Sequence, residues 1–196
     1  PLSPMQQGML FHALYEPQAG DYVNQMRVNV EGLDIPRFRE AWQAALDNHD
    51  ILRTGFIWDG DLAQPLQVVH RQVQMPFIET ECPEGADQQQ QLDQLADAQR
   101  LQGFTLESPP LVRIALAHTG PQRCHLIYTS HHILMDGWSS SQLLGEVLGR
   151  YAGHVPQAQV ARYRDFIAWL QSQDKTLREA FWKTQLASLD EPTRLF

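Results

Sequence analysis

Two adjacent histidines, His131 and His132, are followed three residues later by Asp136 and Gly137. The residues before the pair alternate like a strand and those after Gly137 have helical spacing, so the imidazoles should lie at a strand end beside an approachable backbone loop. An imidazole placed there could accept a proton near neutral pH. The pattern also fits histidines that only hydrogen-bond within the fold. A metal site is a further alternative, although no nearby Cys, His or Glu is spaced to complete it.

The periodicity of the chain predicts the elements that position this motif. Ser3, Pro4 and Gln6 form a capping box that begins a helix ending near Tyr15. Strands are predicted at residues 22–30, 51–58, 66–70, 111–118 and 125–130. Further helices are predicted at 34–48, 87–102, 139–151, 163–171 and 174–188. This order indicates one domain with an α/β fold, an α+β sandwich in which helices pack on a mixed sheet.

Two details of these helices can be checked directly. Ser139 and Gln142 are spaced as a second capping box, after the histidine motif. The last two helices carry large apolar residues that we expect to be buried anchors: Phe166, Trp169, Phe181, Trp182 and Leu186.

Composition narrows the possible partners. The 196 residues carry 15 Lys and Arg against 23 Asp and Glu, a net charge of −8, with no basic cluster, so we expect no nucleic-acid partner. We expect no membrane partner either, because the apolar runs are only a few residues long, and we expect no signal peptide ahead of Pro1. Cys82 and Cys124 show no disulfide or zinc spacing, which favours a cytoplasmic protein.

The stretch from Ser130 to Ser139 resembles the H-H-x-x-x-D-G signature of condensation domains of nonribosomal peptide synthetases, which belong to the chloramphenicol acetyltransferase-like superfamily. Three more stretches resemble motifs of that family in the same order: 2–12, 48–56 and 163–169. In the second, Asn48 and Asp50 replace the usual Arg and Glu, whereas Arg53 is retained. The resemblance implies a chloramphenicol acetyltransferase-like lobe and covers nearly the whole chain.

By this resemblance the protein forms amide bonds in antibiotic or siderophore biosynthesis. The donor acyl thioester and the acceptor amine would be tethered through phosphopantetheine to upstream and downstream peptidyl carrier proteins, with no cofactor or metal bound directly. His132 would be catalytic. His131, Asp136, Arg53 and Gly137 would support the site, with an ion pair between Asp136 and Arg53.

Trp138 and Ser139 are candidate substrate contacts under the same resemblance. The first motif is closer to the subclass that accepts a D-configured donor. Family members consist of two similar lobes, so residues 1–196 are expected to be the amino-terminal lobe, without its carboxy-terminal lobe. The face toward that lobe should be apolar or form a dimer.

Three other functions remain open. An epimerisation domain of the same superfamily shares the signature, although Trp138 and Ser139 favour condensation. A glycerolipid-type acyltransferase fits H-x-x-x-x-D counted from His131, but it would need an apolar or basic membrane-facing surface. The third alternative is a folded lobe that is inactive alone.

Overall fold

A computed structural model of the chain describes residues 1–15, 22–154 and 161–189. These residues divide into two units, 1–163 and 164–196. The first unit contains all the strands of the described chain. Its elements are α1 (Pro4–Tyr15), β1 (Val23–Glu31), α2 (Ile35–Asn48), a 3₁₀ turn (Asp50–Arg53), β2 (Thr54–Ile57), β3 (Leu66–Val69), β4 (Phe77–Glu81), α3 (Gln88–Leu101), β5 (Val112–Gly120), β6 (Arg123–His131) and α4 (Gly137–Tyr151).

The main sheet has the order β1-β6-β5-β4. Pairs β1–β6 and β6–β5 are antiparallel, whereas β4 lies parallel to β5, so the sheet is mixed. Strands β2 and β3 form a separate antiparallel hairpin. The predicted α/β class with a mixed sheet is confirmed. Strand β4 was not predicted, because its five residues, FIETE, carry only a weak alternation.

Helices cover both faces of the main sheet. Because successive side chains of a strand alternate, Ile114 and Leu116 face one cluster with α2 and α4, while Ala115 faces another with α3. On the α2 side, Trp42 is only 1% exposed and stacks on Tyr128 with ring centroids 5.3 Å apart. The core therefore fixes β5 and β6 from both sides, and β6 is the strand that ends in the histidine pair.

Most predicted helix ends agree with the structure. Asp34 caps α2 by accepting the Arg37 N–H. The capping box of α1 is confirmed, since Gln6 N–H donates to Ser3 Oγ (3.2 Å) and Ser3 N–H donates to Gln6 Oε1 (3.0 Å). The strand predicted at 51–58 begins only at Thr54, whose hydroxyl donates to the Asp50 carbonyl at 2.8 Å and closes the preceding 3₁₀ turn.

The second unit contains α6 (Lys175–Leu186) and most of α5 (Tyr163–Ser172). Both helices were predicted, but their large apolar residues were wrongly expected to be buried. Five of them remain 45–58% exposed: Phe166, Trp169, Phe181, Trp182 and Leu186. Helical spacing identifies an apolar face, whereas burial also requires a surface that covers it. None of the helices among the described residues is long and apolar enough to cross a membrane.

Gly55 in β2 is required by a close backbone approach. A Cβ at this position would lie 2.6 Å from the Glu107 carbonyl oxygen and 3.1 Å from Pro109 Cδ, and the neighbouring Phe56 N–H donates to the Leu106 carbonyl. We expect Gly55→Ala to lower the free energy of unfolding by about 1–3 kcal/mol, because backbone must move to admit the methyl group. Urea unfolding measures this loss.

Gly8→Ala in the interior of α1 is the matched control, since a Cβ there meets no heavy atom within 4 Å. This change should leave stability unchanged or raise it by up to about 1 kcal/mol. Equal stability of the Gly55→Ala variant and the unaltered chain would contradict the tight approach.

Candidate functional site

The end of β6 carries the histidine pair. Val23 of β1 lies opposite His131 in the register, and the His131 N–H donates to the Leu111 carbonyl at 2.9 Å. His132 follows in a turn, and its N–H donates to the Tyr22 carbonyl at 2.7 Å. The main chain of both histidines is therefore held by neighbouring segments, as expected for a motif at a strand end.

His131 lies inside the protein, with 4% of its surface exposed. Its Nδ1 accepts the Ile133 N–H at 3.1 Å, which stabilises the turn after the strand. Burial, together with the neighbouring His132, lowers the pKa of His131 from 6.5 to about 4. The ring is thus neutral at physiological pH, and its geometry agrees with the supporting role expected for it.

His132 has a different environment. Its side chain is half-buried, and its Nδ1 lies 3.1 Å from Asn24 Nδ2. Its Nε2 has no hydrogen-bond partner among the described residues. An imidazole with one nitrogen held by the protein and the other unengaged has the arrangement that a general base or a hydrogen-bonding catalyst needs.

Asp136 is the N-cap of α4. Its Oδ1 accepts the Ser139 N–H at 2.8 Å, and the hydrogen bonds from Ser139 hold the pKa of the Asp136 carboxyl below its ordinary value, with a smaller contribution from His132. The expectation that Ser139 is the cap is therefore wrong. Asp136 has a carboxylate at the correct spacing and Ser139 supplies the N–H.

The expected ion pair between Asp136 and Arg53 is also wrong. Arg53 pairs instead with Asp50, with Nη2 and Oδ1 2.8 Å apart. The same guanidinium donates to the carbonyls of Leu46, His70 and Arg71. These acceptors are close because Asp50 is three residues away in the same 3₁₀ turn, so Arg53 joins the end of α2 to the segment after β3.

The first residues of α4 are open to solvent. Trp138 is 81% exposed, and Ser139 and Gly137 are also exposed. A Cβ at Gly137 would meet no heavy atom within 4 Å, so packing within this chain does not require glycine there. All three are therefore accessible from outside, as a substrate contact requires, and Gly137 leaves space beside the loop.

Gln6 contacts the motif from α1, a contact that the sequence did not indicate. Its side chain is 3% exposed and donates from Nε2 to the Ile133 carbonyl at 3.1 Å, while its Oε1 accepts from Gln67 Nε2 at 3.1 Å. The capping-box spacing revealed the local role of Gln6 only. This bond spans 127 positions of the chain and attaches the first family-like motif to the histidine loop.

A cavity of about 360 Å³ lies on the α4 side of the same loop. Its lining includes Leu134, Met135, Ser139 and Gln142, together with the paired His49 and Glu146. His132 is not among its lining residues. In the part of the chain that the structure describes, no group of three His, Cys, Asp or Glu residues could hold a metal ion.

The model of the Condensation domain family matches residues 1–195 of the chain. One protein of the linear gramicidin synthase of Brevibacillus parabrevis is 39% identical over 202 residues, which cover 100% of this chain and 3% of that protein. Bacitracin synthase 3 of Bacillus licheniformis is 34% identical over 200 residues, which cover 97% of this chain and 4% of that protein. The chain thus spans a small part of the curated relatives it matches.

Solved structures share the fold. The starter condensation domain of the rhizomide synthetase RzmA superposes with a TM-score of 0.83 at 23% identity, covering 98% of this chain and 48% of that one. A cyclization-docking bidomain, EpoB from Sorangium cellulosum, superposes with a TM-score of 0.82 at 20% identity, covering 100% and 40%. The chain corresponds to about half the length of these structures. On the match of the family model along nearly its whole length, this chain belongs to the condensation domain family.

Proposed function

We propose that this chain forms part of an enzyme that joins a donor acyl thioester to an acceptor amine in nonribosomal peptide synthesis, with His132 as its catalytic residue. The observation that carries the proposal is the placement of His132 in a member of this family. Its main chain and Nδ1 are held, its ring is half-buried, and Nε2 has no partner among the described residues. His131, Asp136, Arg53 and Gly137 support the loop, and Trp138 and Ser139 contact substrate.

The reaction requires little base strength in the ground state. An α-amine has a pKa of about 7.7–8.0 and is partly neutral at pH 7. Holding the amine and thioester together is worth an effective molarity on the order of 10⁵ M or more. Position therefore contributes more than deprotonation of the free amine.

His132 acts once the bond begins to form. Its Nε2 accepts a hydrogen bond from the amine while the nitrogen lone pair attacks the thioester carbonyl carbon. As the tetrahedral adduct develops positive charge on nitrogen, the ring takes one proton. Collapse of the adduct breaks the C–S bond, and the proton passes to the departing thiolate, so that an amide and a free phosphopantetheine thiol remain.

The proposed partners follow from the substrates. Two peptidyl carrier proteins, one upstream and one downstream, present the phosphopantetheine arms, and the chain itself binds no cofactor. We place the enzyme in the cytoplasm, which agrees with Cys82 and Cys124 being free thiols. The resemblance of the first motif supports a donor with the D configuration.

We further propose that residues 1–196 are the amino-terminal lobe of a two-lobed domain, because the chain covers about half of the solved condensation domains. Exposed apolar side chains on α1 and β1 suit contact with the second lobe: Met5, Phe11, Leu14, Tyr15, Met26 and Val28. In its absence this surface supports a dimer. Sedimentation of the chain at high concentration tests the dimer, and a monomer there contradicts it.

Loaded carrier proteins test the function. The chain alone, the second lobe alone, their mixture and the complete domain are incubated with D- or L-aminoacyl donor carriers and an aminoacyl acceptor carrier, and the amide is measured by mass spectrometry. We expect product from the complete domain, with the D donor preferred, and essentially none from the chain alone. Robust product from the chain alone would refute the half-site proposal, and no product from the complete domain would refute condensation.

A further inference from the structure

Asn24 lies beside the ring of His132. Its Nδ2 is 3.1 Å from His132 Nδ1, and no other side chain among the described residues hydrogen-bonds to this ring. Asn24 is exposed and lies on β1, 108 positions before His132. None of the family-like motifs of the sequence includes it.

The register of the sheet explains the contact. Asn24 pairs with Ser130 across β1 and β6, and paired residues of antiparallel strands project to the same face. His132 is two positions beyond Ser130, so Asn24 and His132 are diagonal neighbours at the end of the ladder. The Tyr22 carbonyl, two residues before Asn24, accepts the His132 N–H at 2.7 Å. The start of β1 therefore holds both the main chain and the ring of His132.

The chemistry of a neutral imidazole gives this contact a consequence. One ring nitrogen carries the proton and the other a lone pair, and the hydrogen bond at one nitrogen determines which. A base acting through Nε2 needs the proton on Nδ1. The terminal amide of asparagine offers both an NH₂ and an oxygen, and a half-turn about its last torsion exchanges them. Its oxygen can therefore accept from Nδ1–H.

We propose that Asn24 is a positioning residue that orients the His132 ring and holds its proton on Nδ1. The amide oxygen accepts Nδ1–H in the neutral ring and continues to accept it when Nε2 takes a proton. This inference rests on the proposed role of His132 as the group that accepts the proton from the amine.

Few other charged groups act on this ring. From the loop that leads into α4, Asp136 faces His132 and is engaged at its carboxylate by Ser139. From β6, His131 is buried and neutral. From β1, the nearby side chain is the uncharged Asn24. A charge introduced at position 24 would thus be the main new influence on His132.

Nitrogen-15 NMR of the histidine rings in the 196-residue chain tests the proposal without any substrate. In the unaltered chain we expect the neutral His132 ring to carry its proton mainly on Nδ1. Asn24→Asp, which can only accept, should keep this tautomer and move the titration midpoint of His132 upward by about one pH unit or more. Asn24→Leu should give a mixture of tautomers. A ring protonated mainly on Nε2, or unaffected by Asn24→Leu, would overturn the proposal.

The chain offers a matched control on the same strand. Asn29 Oδ1 lies 2.6 Å from Nδ1 of His125 on β6, so it is a second asparagine that contacts a second histidine. Asn29→Leu should change the resonances of His125 and leave those of His132 unaltered. If Asn29→Leu altered His132 as much as Asn24→Leu does, the effect would be a general disturbance of β1, and the proposal would fail.

Activity is measured in the complete domain with the same variants. Asn24→Leu should lower kcat about tenfold or more, with little change in KM, because a correctly protonated base is lost after binding. Asn24→Asp should keep kcat within about threefold and move the acidic limb of its pH profile upward. Unchanged kcat in Asn24→Leu would overturn the catalytic part. If the unaltered domain formed no amide, the proposed function would fail, while the NMR result would still decide the tautomer.

Discussion

Replacing His132 with alanine is expected to reduce amide formation by the complete domain about 10²–10⁴-fold. Proton transfer by a positioned histidine contributes about this factor, and the remaining rate comes from holding amine and thioester together. The variant should fold normally, because His132 is half-buried and its structural bond to Tyr22 is made by the main chain. Single-turnover formation of the amide, followed by mass spectrometry, gives the rate.

His118→Ala serves as the control. His118 lies on β5 of the same sheet, where its Nε2 is 3.0 Å from Glu79 Oε2, away from the histidine loop. We expect its rate to stay within about threefold of the unaltered domain. A His132→Ala variant equally close to the unaltered rate would show that this ring is not part of the chemistry.

Acid should destabilise this protein through His131, by about 3 kcal/mol of unfolding free energy between roughly pH 7.5 and pH 4. The folded-state pKa of His131 is about 4, against 6.5 for an ordinary histidine, because the buried ring resists charging. Between these values the unfolded chain binds the proton and the folded chain does not, so stability falls as the pH decreases. The contribution is complete above pH 6.5 and lost by about pH 4.

Urea unfolding at a series of pH values measures this dependence. His131→Asn retains an oxygen that can accept the Ile133 N–H but has no proton to gain, so its stability should fall about 3 kcal/mol less over the same range. The exposed His70→Asn is the control and should follow the unaltered chain. Identical pH dependence in the His131→Asn variant and the unaltered chain would contradict the assignment.

Local patterns predicted much of the fold. The capping box of α1, the alternation of β6 and the apolar spacing of α2 and α4 act over a few residues, so they are readable in a single sequence. The histidine motif was correctly placed at the junction of a strand and a helix for the same reason. Short β4 was missed, because its pairing with β5 rather than its own composition makes it a strand.

Contacts between distant segments were predicted less well. The sequence offered Arg53 several carboxylates, and only the turn at residues 50–53 shows that Asp50 is the one within reach. Asp136 was assigned to that pair, yet its nearest donor is the Ser139 N–H three residues later. Apolar spacing in α5 and α6 indicated which faces are apolar, but not that they remain exposed.

The sequence by itself determined the order of the helices and strands, the family and the location of the histidine pair, since these depend on residue types at short spacing. Tertiary structure alone decided that His131 is buried, that His132 keeps one nitrogen unengaged among the described residues, and that Asn24 and Gln6 contact this loop. The physical reason is strand register. A shift of one residue would turn Asn24 to the opposite face, and register is set by the packing of the whole sheet.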